Sequence, residues 1–183
     1  MRNNGQLTGK EVPVAADGEI VSSTDTRGNI QFCNDYFCKI AGYERSELLY
    51  QPHNILRHPD MPAKTFEMLW TSLKAGTPWM GIIKNRCKNG DHYWVDAYVT
   101  PLRDRGQVYG YESVRVRADA AVIKRAEKVY ARLQANKPVC PLPEKLVHSW
   151  GATALTALLS FSVLLAVCFT SGKLTAGWIF GIF

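Results

Sequence analysis

The sequence predicts an α+β domain built on a five-stranded antiparallel sheet with flanking short helices, followed by a linker helix and a transmembrane helical segment. Three observations carry this reading. A β-rich hairpin is followed by short helical stretches and one longer helix. Three further strand-like runs joined by tight turns come next. An uncharged stretch long enough to cross a bilayer lies downstream.

Residues 1–19 are polar and contain glycine, and are expected to form a mobile N-terminal cap. The run IVSSTDT from Ile20, the turn at Arg27, Gly28 and Asn29, and the run IQFCN form a hairpin signal, because a Gly-containing turn joins two short β-rich runs. Asn34 is placed to cap DYFCKIAGY, a short helix that Gly42 ends. Ser46 to Tyr50 gives another turn of helix. Pro62 opens a longer helix, in which Phe66, Leu69, Trp70 and Leu73 recur at helical spacing and Gly76 is the stop. Strands are expected over Trp79–Lys88, Asp91–Arg103 and Gln107–Arg117, joined by the turns KNGD and DRG. The alternation in HYWVDAYV suits a half-buried antiparallel strand. The domain is therefore drawn over 20–118.

Residues 119–150 read as an amphipathic helix capped by Asp119, then a linker broken at PVCPLP. Val122, Ala126, Val129 and Leu133 fall at heptad-like spacing. Two heptads fit either a coiled coil or a helix lying on the sheet. Gly151–Thr170 holds no charged residue and would span roughly 30 Å as a helix, the thickness of a bilayer core. Thr153, Thr156, Ala157 and Ser160 share a face suited to close packing against another span or a sister chain. Leu174–Phe183 is apolar but too short to cross, so 151–183 is expected to be a membrane hairpin that is truncated.

Composition excludes several classes. Hydrophobic residues at 46% and charged residues at 21% support a packed core and exclude wholesale disorder. The net charge of +6 does not gather into a basic face with interleaved aromatics, so nucleic acid is not the expected partner. Instead Lys124, Arg125, Lys128, Arg132, Lys137 and Lys145 precede the apolar segment, as a cytoplasmic flank near anionic head groups does. Cys33, Cys38, Cys87, Cys140 and Cys168 form no CxxC pair and no zinc spacing, which fits reduced thiols. No apolar signal-peptide core follows Met1. With no nucleophile–base pair, no metal set and no phosphate-binding glycine loop in the sequence, an enzyme is not expected.

The strings PHNILRHPDMP, PWMGIIKNR, KNGDHYWV and GYESVRVRA resemble the PAS sensor domain of bacterial aerotaxis receptors over most of Asp25–Arg117. The resemblance implies a PAS fold that binds FAD without covalent attachment. It implies a homodimer in the bacterial inner membrane with its PAS domain in the cytoplasm. Signals would pass through a HAMP and a kinase-control region absent from this chain to a chemotaxis histidine kinase and its coupling protein.

A flavin needs an apolar aromatic slot, amide-like groups at its pyrimidine edge and positive charge near its diphosphate. Asn85 lies on the strand that lines a PAS pocket, where light-sensing flavin PAS domains hold an asparagine against the ring; a strand asparagine pairing with a loop is the plainer role. Trp79 and Trp70 could wall the ring or serve as ordinary core. Arg57 and His58 offer positive or hydrogen-bonding groups. Asp60 could hold Arg57, bind a hydroxyl, or cap the helix that Pro62 opens. His53 and Asn54 are weaker candidates of the same kind. Asn34 is a cap that in the family also faces the pocket. HNILRHPD lacks the reactive cysteine of light sensors, and their second asparagine and glutamine switch are Val95 and Arg115 here, so the flavin is expected to signal by electron count rather than by a thiol adduct. Asn85 and the strand bearing Arg115 are expected to relay that change to the helix after Asp119. The alternatives are a haem or other small-ligand sensor, which for haem needs an axial histidine, and a ligand-free dimerisation module with a filled core.

Overall fold

The structure is a computed structural model that describes residues 6–139. The expected membrane hairpin over 151–183, most of the linker before it, Lys145, His148, Cys140 and Cys168 lie outside the described residues. Among the described residues no helix is long and apolar enough to cross a membrane.

The chain begins with a hairpin of β1 (Ile20–Asp25) and β2 (Ile30–Cys33). Three short helical pieces follow: α1 (Asp35–Ala41), α2 (Arg45–Leu48) and a 3-10 turn over His53–Leu56. The longer α3 (Ala63–Lys74) leads into β3 (Trp79–Arg86), β4 (His92–Asp104) and β5 (Gln107–Arg117), and α4 (Ala120–Gln134) ends the described part. All sheet pairings are antiparallel, in the order β2-β1-β5-β4-β3. The first strand thus pairs with the last, Ile20 opposite Arg115 and Ser22 opposite Ser113.

The local chemistry accounts for the helix ends. The Asn34 side chain accepts from the Phe37 N–H, satisfying one of the orphan donors of α1. Gly42, at φ 70°, takes the left-handed turn that ends it. Asp119 caps α4 through the Ala121 and Val122 N–H groups. α3 differs from expectation, because Pro62 occupies its N-cap and no side chain caps it. Asp60 is therefore not a cap.

Two faces of the sheet are used differently. One face carries the main core, including Ile20, Ile30, Phe37, Ile83, Tyr93, Val95 and Ala97. The buried side of α3, Leu69 and Leu73, meets Val99 and Tyr111 beside it. The other face carries Ile82 and Trp94, against which α4 packs Val122, Ile123, Ala126 and Tyr130. The Tyr130 hydroxyl also donates to the Ile82 carbonyl. So α4 lies on the sheet, the second of its two expected arrangements. Ile82 and Ile83 are neighbours on opposite faces of β3, as period-two alternation requires. The N-terminal cap is held in part by backbone pairing: Val12 N–H donates to His92 and His92 N–H to Lys10.

Candidate functional site

A cavity of about 450 Å³ opens between the inner face of the sheet and the segment running from the 3-10 turn through α3. This lies within the range of small-molecule sites, roughly 300–1,000 Å³. Its floor follows from strand alternation. Ser22 and Thr24 of β1, Tyr111, Ser113 and Arg115 of β5, Val99 of β4, and Ile83 and Asn85 of β3 all point inward. Cross-strand rows bring them together, with Ser22, Ser113 and Val99 in one row and Arg115 in the next. The opposite wall is Phe66, Leu69, Trp70 and Leu73 of α3, and the rim carries Arg27, Gly28, His53, Asn54 and Arg57. Trp70 meets Tyr111 edge-on, with ring centroids 5.6 Å apart. Gly28 sits under the Trp70 ring with φ 84°, where an added Cβ would come within 3.0 Å of that ring.

Arg115 is the electrostatic centre of this site. It is 4% exposed, and its Nη2 donates to Ser22 Oγ at 3.1 Å and to His53 Nε2 at 2.7 Å. A guanidinium has donors only, so His53 Nε2 accepts and the ring is neutral. Burial, and then the Arg115 charge, lower the His53 pKa to about 3. Burial lowers that of Arg115 to about 10. Phe37 supports both, stacking on His53 at 6.0 Å and lying 5.4 Å from the Arg115 guanidinium carbon. Arg115 makes no ion pair with a carboxylate among the described residues, and its Nη1 is buried without a hydrogen-bond partner, as is Ser113 Oγ. A buried cation with an open donor is costly unless an acceptor reaches it.

The remaining expected site residues divide. Asn85, 5% exposed, lines the cavity, and its backbone bridges to Arg57. Arg57 donates to the Met61 carbonyl at 3.1 Å and lies 4.6 Å over the Phe66 ring, with Nε buried and unpartnered. His53, Asn54, Trp70 and Arg115 also line the cavity. Four others stand outside the lining. The Asn34 amide is used by Phe37 and Val21 N–H groups and the Glu19 carbonyl. The Trp79 ring folds over Gly81, whose missing Cβ makes room for it. His58 is buried beside His92, and its Nδ1 accepts from the Asp60 N–H at 3.1 Å. Burial, and then the Lys84 charge, lower the His58 pKa to about 4. Asp60 pairs with Lys84 at 2.7 Å rather than with Arg57. Burial raises its carboxyl, but Lys84 and His58 outweigh this and hold it below the usual range. Ser22, Ser113, Tyr111 and Phe66 belong to the site without having been singled out. The signal for two of them was present: Tyr111 and Ser113 alternate with Arg115 on one face of β5.

Residues 30–115 match the family described as the PAS fold. With β1 they make the five-stranded antiparallel sheet and flanking helices of the PAS fold. The chain is 44% identical to the aerotaxis receptor of Escherichia coli (strain K12) over 137 residues, which are 75% of this chain and 27% of that receptor. It is 34% identical to the nitrogen fixation regulatory protein of Klebsiella pneumoniae over 92 residues, 50% of this chain and 19% of that protein. The matches thus span about a quarter of the first relative and a fifth of the second. The kinship with aerotaxis receptors expected from PHNILRHPDMP and KNGDHYWV is therefore found. Among solved structures, a light-oxygen-voltage domain studied with a flavin analogue superimposes with a TM-score of 0.54 at 22% identity, covering 64% of this chain and 87% of that one. At that identity the likeness is one of fold.

Proposed function

We propose that the PAS domain holds FAD non-covalently in this cavity and that the chain is the sensory part of a redox-sensing signal transducer, not an enzyme. The observation that carries the reading is Arg115, a buried cation with an open donor that shares with Asn85 and Ser113 the lining of a cavity with an aromatic wall. The donor set suits the polar edge of an isoalloxazine ring: an amide for its alternating donors and acceptors, a hydroxyl, and a guanidinium. Arg27 and Arg57 at the rim suit a diphosphate. When bound, the ring exchanges electrons and gains negative charge on reduction. Arg115 would stabilise that charge and exchange hydrogen bonds between the ring, Ser22 and His53. Asn85 stands on β3, whose other face bears α4 through Ile82, so a shift at Asn85 has a path of a few residues to α4.

The likeness to the aerotaxis receptor supports the wider assignment. In it the chain is a homodimer of the bacterial inner membrane, its PAS domain is cytoplasmic, and its output goes to a chemotaxis histidine kinase and coupling protein. A haem sensor is less well supported. Of the three histidines among the described residues only His53 lines the cavity, and its Nε2 faces Arg115 at 2.7 Å. A ligand-free module expects a filled interior, where the cavity stands. The test is to release the small molecule that copurifies with the chain and identify it by mass and absorbance. FAD supports the proposal; haem, or no chromophore after reconstitution with excess FAD, contradicts it.

A further inference from the structure

Cys33 ends β2 inside the core and is fully buried. Cys38 is on the first turns of α1, partly exposed, and packs against the same core cluster. Their sulfurs are 3.7 Å apart, and both are free thiols. The approach is fixed by the cap described above: Asn34, between them, ties β2 to β1 and accepts from Phe37 N–H to start α1, so the helix returns Cys38 over Cys33. A disulfide has its sulfurs about 2.05 Å apart, so closing the pair needs a movement of less than about 2 Å, within the reach of side-chain rotation.

We propose that Cys33 and Cys38 are a peroxide-sensitive dithiol that closes to an intramolecular disulfide. The inference is independent of what fills the cavity. The two thiols have unequal roles. Cys38, with solvent access, attacks a peroxide oxygen as its thiolate; the O–O bond breaks, hydroxide leaves, and Cys38 becomes a sulfenic acid. The Cys33 sulfur then attacks the Cys38 sulfur. The S–O bond breaks, and the departing hydroxide leaves as water with the Cys33 proton. Two thiols lose two electrons in all, and one peroxide becomes two waters. Burial raises the Cys33 pKa to about 11, which keeps it a protonated partner for the second step rather than the first attacker. The bond would pin the helix that carries Phe37, the support of His53 and Arg115, so an oxidant would act on the wall of the cavity.

The test uses the whole chain. Reduced protein is treated with hydrogen peroxide, unfolded, alkylated with iodoacetamide and digested with trypsin. The peptide from Gly28 to Lys39 holds both cysteines and no other. The proposal expects this peptide lighter by two hydrogens and unalkylated, while the Cys87 peptide is alkylated. Cys33→Ser should stop at the sulfenic acid and take a dimedone adduct at Cys38. Cys38→Ser should leave Cys33 open to alkylation after unfolding. A wild-type peptide carrying two alkyl groups, at a peroxide dose that yields the dimedone adduct in Cys33→Ser, overturns the proposal. So does pairing of Cys38 with any cysteine other than Cys33.

Discussion

At the scale of single residues, Arg115 sets the terms. It keeps its charge inside the domain by donating to Ser22 and His53, and it thereby forces His53 to stay neutral. The consequence for pH has a definite sign. In the unfolded chain His53 takes a proton near its ordinary value of about 6.5, whereas in the fold it does so only near 3. The unfolded state therefore binds the proton first, and stability is lost as pH falls from about 6.5 toward 3. His58, at about 4 in the fold, adds to the upper part of the same window. Denaturant midpoints should be lower at pH 5 than at pH 7.5, and His53→Gln should narrow that difference. Asn34 makes a second prediction. Its amide serves the backbone at three places, so Asn34→Ala should cost about 1–2 kcal/mol of stability, read as a lower denaturant midpoint.

The site was partly legible at this scale. Arg57, His53, Asn54, Trp70, Asn85 and Arg115 stand in the cavity lining, on or beside the turn, the helix and the strands that the sequence delineates. Trp79 is not, because Gly81 beside it leaves a space that its own ring fills, and no spacing rule reports such a fold-back. His58 and Asp60 lie outside: the Asp60 carboxylate pairs with Lys84 of β3, and the His58 ring is buried against His92. A CxxC spacing lies along one element, so it does not mark the Cys33–Cys38 approach. Here the pair spans a strand end and a helix turn.

At the scale of elements, caps and glycines were the dependable signals. Asn34, Gly42, Asp119 and Gly76 mark helix ends that physical chemistry requires, and they stand where the sequence puts them. Strand ends moved by a residue or two, as at β3, which stops at Arg86 before the turn. For α4 the sequence left two arrangements open, because Val122, Ala126, Val129 and Leu133 suit either a partner helix or a sheet. Packing decides it: Val122 and Ala126 meet Ile82 and Trp94, and Tyr130 bonds the Ile82 carbonyl. Tyr130→Phe should therefore cost about 1 kcal/mol, the ordinary net value of one hydrogen bond. Faster amide exchange confined to α4 should accompany it. Unchanged exchange across α4 would show that the helix is held by its apolar contacts alone.

At the scale of the whole molecule, the strand order was the least legible property. β1 and β5 are adjacent although their paired residues are far apart in sequence, and nothing local encodes such a pairing. Yet this pairing makes the site. It sets Ser22 beside Ser113 and brings Arg115 within reach of both Ser22 and His53, so residues from the two ends of the domain surround one cavity. The same sheet carries the main core and the cavity on one face and α4 on the other. A change inside thus has an exit through β3. The most direct measurement is an equilibrium titration of the apoprotein with FAD, followed by isoalloxazine fluorescence, for wild type, Asn85→Ala and Arg115→Ala. Saturable binding at one FAD per domain, weakened on the order of tenfold or more in each variant, is the predicted result. Saturable binding that neither variant weakens, or no saturable binding in the wild type, would contradict it.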